Sequence, residues 1–302
     1  SGLENDEKAT LEFMEYHQLL ISTEGVNKLW VELVLSFLRS WSGSTYIIKH
    51  PDDALEKFTK CETYLKKIID FGILSNLLIE FIDAKKEVLE VTKKYKELKK
   101  VCLDHLKMVK ESIGVNTIDY ESACYDVGKV YEHLKEGELC VKYSLMGIDS
   151  LLKLEQSDKI KRALATAYGN LSHIYRNHLK DVENTIICAQ KSLEYKESFE
   201  KNKSYGISLY NLGRAFAMNN EFEKSADLIQ QALKYFKESS NKEIYQKSVL
   251  EVNLGIITNE FDKITAEILL KKSIKIIESA DIRIYISTEV KKRIEIGKNI
   301  LK

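Results

Sequence analysis

Three small residues at near-constant spacing recur four times along this chain, and a fold must satisfy all four copies. The first set is Gly128, Ser172, Gly213 and Gly255, each directly after Val127, Leu171, Leu212 or Leu254. The second is Cys140, Thr185, Ser225 and Ala266, and the third, always seven positions on, is Gly147, Ser192, Ala232 and Ser273. An aromatic stands three positions after the first small residue (Tyr131, Tyr175, Phe216), with Thr258 as a weak fourth member. Two antiparallel helices approach closely only where side chains are small, and the next pair must nest against both. The aromatic fills the space between them. The pattern therefore demands stacked helix pairs.

Successive copies are 44, 41 and 42 residues apart (128 to 172, 172 to 213, 213 to 255). The pattern resembles the tetratricopeptide repeat, whose usual length is about 34 residues. The match is good in residues 204–238, clear in 121–154 and 164–196, and degenerate in 247–276. The extra residues are predicted to lengthen the second helix and the joint after it, as in Lys191 to Lys203 and Lys234 to Glu243. The resemblance implies an all-α fold, a right-handed superhelix of antiparallel helix pairs. The expected organisation is a degenerate helical-repeat region over 1–113, four repeats over 114–280 and a capping helix over 281–302. The front region adds two or three degenerate units, since Ala54 and Cys61 keep the seven-residue spacing with Phe58 between them. Six pairs plus a cap are expected.

Composition agrees with long helices. Pro51 is the single proline and there are 13 glycines, too few breakers for a turn-rich β fold. Helices are expected over 5–22 and 26–42, from Pro51 to about Asp70 with Gly72 as a stop, and over 73–113 as one helix or two broken near Asp83. Lys plus Arg and Asp plus Glu are both 46, and a net charge of zero argues against dependence on nucleic acid or an anionic membrane. No apolar run of about 18 residues is present, so no transmembrane helix is expected. The acidic start lacks the basic and apolar regions of a signal peptide. It also lacks Met, and Ser1-Gly2 reads as a cloning remnant, with the native chain beginning earlier. The five cysteines (Cys61, Cys102, Cys124, Cys140, Cys188) are widely spaced without a C-x-x-C pair and read as reduced core thiols of a cytoplasmic protein.

Catalytic motifs are absent from the sequence. There is no H-E-x-x-H, no G-x-G-x-x-G, no Gly-Lys-Ser/Thr loop and no G-x-S-x-G. His173 and His178 are five apart, a poor spacing for one helix face. Neither an enzyme nor a cofactor is expected. The basic run Lys93 to Lys100 reads as a solvated helix face, with a partner patch as the alternative.

In the tetratricopeptide family the first helix of each pair lines the concave face. The resemblance places two rows there. Asp126, Asn170, Asn211 and Asn253 precede the four Val/Leu–small steps. An amide offers a donor and an acceptor together and suits a peptide backbone, although Asn is also the ordinary residue at this position in many such repeats. Three residues on stand Lys129, His173 and Arg214, with Ile256 ending the row. These suit acidic side chains or a terminal carboxylate, or are solvated surface charges. The family's carboxylate clamp for chaperone tails is not matched, because Tyr125 and Lys129 stand where a Lys and an Asn are needed.

The long period, the Asn row and segments such as Ser208-Leu209-Tyr210-Asn211-Leu212-Gly213 resemble the cytoplasmic peptide-pheromone receptors of Gram-positive bacteria, the RRNPP quorum-sensing group. The resemblance covers about 120–300. It implies a short signalling peptide in the groove and a regulatory output through a response regulator, another protein or a second copy. Members act through an N-terminal helix-turn-helix or a helical bundle. No helix-turn-helix is found in 1–113, so it either preceded Ser1 or the chain acts by protein contact, without direct nucleic-acid or membrane binding. The alternative is a repeat scaffold for a folded partner.

Overall fold

The structure, a computed structural model, describes Asp52 and residues 75–199, 201–279 and 287–302. The helices expected before residue 75, with Ala54, Phe58 and Cys61, lie outside the described residues. The chain divides into two compact units, Ser1–Ser112 and Ile113–Lys302. Among the described residues there are eleven α-helices and no strand, so the fold is all-α.

The first unit contributes α1 (Ser75–Val91) and α2 (Tyr95–Ser112), which pack on each other. The expected break near Asp83 is corrected. The helix runs through Asp83, which pairs with Lys86 at 2.6 Å one turn on. It stops instead at Thr92, whose hydroxyl donates back to the carbonyls of Val88 and Leu89, and at Lys93 with φ of 56°. Both features end the helical ladder.

The second unit holds four consecutive pairs: α3 (Ile118–His133) with α4 (Gly137–Leu152), α5 (Asp158–Ile174) with α6 (Val182–Glu197), α7 (Lys203–Met218) with α8 (Phe222–Leu233), and α9 (Asn241–Thr258) with α10 (Lys263–Ile277). A last helix, α11 (Thr288–Ile300), packs on α9 and α10. Side-chain caps at Thr117, Ser157, Asp181, Asn202, Ser240, Asp262 and Ser287 start these helices by accepting from first-turn amides. The turns inside the first three pairs end on left-handed residues, Lys135, Lys180 and Asn220.

The rows of small residues meet as the spacing demands. The Cys140 thiol lies 3.1 Å from the Gly128 carbonyl, and the Ser172 hydroxyl donates to the Thr185 carbonyl at 2.9 Å. At Gly213 a Cβ would lie 2.8 Å from Ile229 Cγ1 and 3.0 Å from the Ser225 carbonyl, so only glycine fits without a shift. The third row meets a fourth that the sequence pattern did not reveal: Glu121, Ala165, Gly206 and Ser248, seven positions before the first. The Ser192 hydroxyl donates to the Ala165 carbonyl at 2.7 Å, and Ala232 closes on Gly206. Glu121 is the misfit in that row, packed against Gly147, and burial first, then Asp126, pushes its carboxyl up to about 7. Between the rows, Leu151, Leu164, Leu171, Ile229, Leu270 and Ile277 are fully buried. Each contributes on the order of 1.5–3 kcal/mol. Cys102, Cys124, Cys140 and Cys188 are buried.

The extra length falls differently in different repeats. After α6 it extends the helix to Glu197. After α8 the expected helix extension does not occur, because α8 stops at Leu233. Residues 234–236 continue with tighter i→i−3 bonds that turn Phe236 inward, where it packs against Gly206.

Candidate functional site

The first helices of three successive pairs, α3, α5 and α7, line one cavity of about 440 Å³. Of the residues expected in the groove, the structure brings Lys129, Asn170, His173 and Asn211 together on its wall. Asp126, Arg214 and Asn253 do not line it. Among the described residues, the side chains of Asn170 and Asn211 carry no hydrogen bond, although both are half-buried. Their amides are presented to whatever enters.

Several lining residues were missed. Thr166 and Ile207 lie one helical turn before Asn170 and Asn211, a step that extends the Asn row along the same face. Tyr125 and Ile207 are each 42% exposed, an apolar offering beside the free amides. Ser192 and Ser208, 3.2 Å apart, form a polar floor.

One end of the cavity is shaped by a single extra residue. From first to second small position the spacing is 12, 13, 12 and 11 residues (128–140, 172–185, 213–225, 255–266). The thirteenth residue of the second repeat is accommodated by a π turn, Tyr175–Leu179, closed by left-handed Lys180. The turn leaves Tyr175 only partly buried but buries Arg176 and swings His178 towards Glu132. Glu132 then faces two imidazoles, with Oε1 3.4 Å from His173 Nδ1 and 3.2 Å from His178 Nε2. His173 also meets the Asn177 amide at 2.6 Å. Burial, followed by the nearby Arg176, holds His173 below its ordinary range despite Glu132.

Beyond His173 the rows change character. Arg214 lies over the Tyr210 ring at 5.6 Å and reaches Glu289 of α11 at 3.6 Å. Arg293, also on α11, donates to the Tyr210 hydroxyl at 3.0 Å and the Asn253 carbonyl oxygen at 2.6 Å, and pairs with Glu289. The Asn253 amide nitrogen donates to the Val249 carbonyl at 2.6 Å. Asn253 is thus engaged at both ends by its own chain.

No protein-family model and no curated protein sequence matches the chain. Solved structures do. The crystal structure of BtubC (BKLC) from P. vanneervenii is 15% identical, with 78% of this chain and 91% of that chain covered and a TM-score of 0.59. The crystal structure of the apo form of RapI is 16% identical, with 99% of this chain and 83% of that chain covered and a TM-score of 0.63. No helix of the described residues is long and apolar enough to cross a membrane. The chain has a tetratricopeptide-like fold of stacked helix pairs, which resembles the fold of RapI.

Proposed function

We propose that the chain is a peptide-binding regulator of the quorum-sensing type, with the cavity on α3, α5 and α7 as its receptor groove. The observation that carries this reading is the pair of unpartnered amides, Asn170 and Asn211, on successive first helices beside exposed Tyr125 and Ile207. An extended peptide needs that combination: amides for its backbone and apolar surface for its side chains. A ligand that touches three pairs at once favours whichever mutual packing of the pairs it fits best. It shifts the population by its difference in affinity between the two arrangements. The output is a change in binding to a protein partner such as a response regulator, or to a second copy, without chemistry on the ligand.

The test is thermal stability of the purified chain against a pool of short synthetic peptides, including any encoded beside its gene. A peptide at 100 times its dissociation constant adds about 2.7 kcal/mol. Asn211→Ala should remove about 1–3 kcal/mol of that binding. Unchanged affinity in the variant would refute the role of the amides. A second reading, a scaffold for a folded partner, draws on a different face. Phe261, Ile264 and Ile268 are 46%, 76% and 64% exposed, on and just before α10. If no peptide shifts the melting temperature, that surface becomes the better guide.

A further inference from the structure

Two guanidinium groups meet one carboxylate where the groove's charged row meets α11, and a third, buried guanidinium lies close enough to feel them. Arg176 comes from the π turn after α5, Arg214 from α7 and Arg293 from α11. Arg214 and Arg293 both contact Glu289. Arg176 is 5% exposed, its Nε donates to Asn177 Oδ1 at 3.3 Å, and its Nη1 has no partner among the described residues. Burial lowers its guanidinium to about 10, and Arg214 and Arg293 push in the same direction. Asn177 links Arg176 to His173 on the wall of the cavity, with 3.3 Å to the guanidinium Nε and 2.6 Å to the imidazole, so the cluster borders the groove.

Arginine charges brought together with a single acid are an expensive arrangement for folding alone. A desolvated cation with an unused donor costs stability, and like charges add to the cost. Arginine is also the side chain best shaped to hold a carboxylate through parallel N–H donors. Glu289 is 62% exposed and among the described residues is held by the two arginines alone, so its own carboxylate can swing into solvent at little desolvation cost once another anion takes its place beside the guanidiniums.

We propose that Arg176, Arg214 and Arg293, with the Tyr210 hydroxyl, form an anion site at the end of the groove that takes a carboxylate of the bound ligand in exchange for Glu289. The site rests on the peptide-binding reading and narrows it to acidic peptides, with the carboxylate on a side chain or at the C-terminus. Exchange also frees α11 from one of its ties to α7, which gives the ligand a route to the C-terminal helix.

Inorganic phosphate is the first probe, titrated by calorimetry into the full chain and into Glu289→Gln. Removal of the internal competitor should tighten phosphate binding at least tenfold, and Arg214→Gln in the same background should abolish the gain. Arg176→Met should weaken phosphate binding while raising the melting temperature of the unliganded protein, which a purely structural arginine would not do. Equal phosphate affinity in wild type and Glu289→Gln would overturn the site. The second probe is the same peptide pool, as free acids against C-terminal amides and with Asp/Glu against Asn/Gln. A preference for the free acid assigns the site to the C-terminus, and a preference for Asp/Glu assigns it to a side chain. Peptides that bind with no preference in either pairing overturn the anion site and leave the groove standing. Tight phosphate binding by Glu289→Gln with no peptide bound upholds the anion site and counts against the peptide reading.

Discussion

The same helix position is open in the middle repeats of the array and filled at its C-terminal end. Asn170 and Asn211 face a cavity with free amides, whereas Asn253 is held by Arg293 and Val249. The three residues are identical, and each is followed by Leu and a small residue. The difference lies in the next element of the array: a further repeat beyond the pairs of α5 and α7, and the single helix α11 beyond the pair of α9. A first helix whose concave face meets α11 has its polar groups consumed in tying the end down. A repeat position therefore has no fixed role, and its neighbour decides whether it is a binding group or a fastening.

The largest test of this contrast is Leu270→Ala. Leu270 is fully buried and packs under both Gly255 and Gly297, joining α9, α10 and α11. Its truncation should cost about 2–5 kcal/mol in urea unfolding. Amide exchange should then speed up in α11 before α3 or α5. Uniform exchange along the array would show that α11 is not a separate fastening. Next, Asn253→Ala should cost about 1.5–3 kcal/mol because it strips a hydrogen bond from a charged guanidinium. Asn211→Ala should stay within about 0.5 kcal/mol of wild type in the absence of ligand. Equal losses in the two variants would erase the distinction between open and filled positions.

A further contrast is the pH dependence at the other end of the second unit. Glu121 binds its proton more tightly in the folded state, at about 7 against an ordinary 4.5. Its contribution to stability is therefore greatest below pH 4.5, declines as pH rises from about 4.5 through 7, and is flat above. Glu121→Gln should flatten that slope, measured as melting temperature against pH, and should be more stable than wild type at pH 8.

Much of this was legible in the sequence because helix pairing is local. The small rows, such as Cys140 on Gly128 or Ser172 on Thr185, join residues 12 or 13 apart and must recur at a fixed spacing. Lys129, Asn170, His173 and Asn211 were placed on one face by the tetratricopeptide resemblance, which also put Asp126, Arg214 and Asn253 there, and those three do not line the cavity. The filled end was not legible. Arg293 reaches Asn253 across 40 residues and Tyr210 across 83, and no periodicity links them. The π turn was visible only as a thirteenth residue in one spacing, and the burial of Arg176 stems from its geometry and not from any local pattern. The row of Glu121, Ala165, Gly206 and Ser248 was hidden because Glu121 breaks the small-residue rule.

The buried thiols have one further consequence. Burial pushes Cys124 and Cys140 up to about 12 and Cys188 to about 11, so at neutral pH almost no thiolate is present at any of the three. All three lie in the first two repeats of the second unit, on α3, α4 and α6, and none lies on α7 to α11. An alkylating reagent must wait for a pair of helices to part before it finds anything to attack. The rate of labelling is then a clock for the breathing of the groove's front wall, and a ligand that stitches the pairs together should slow it.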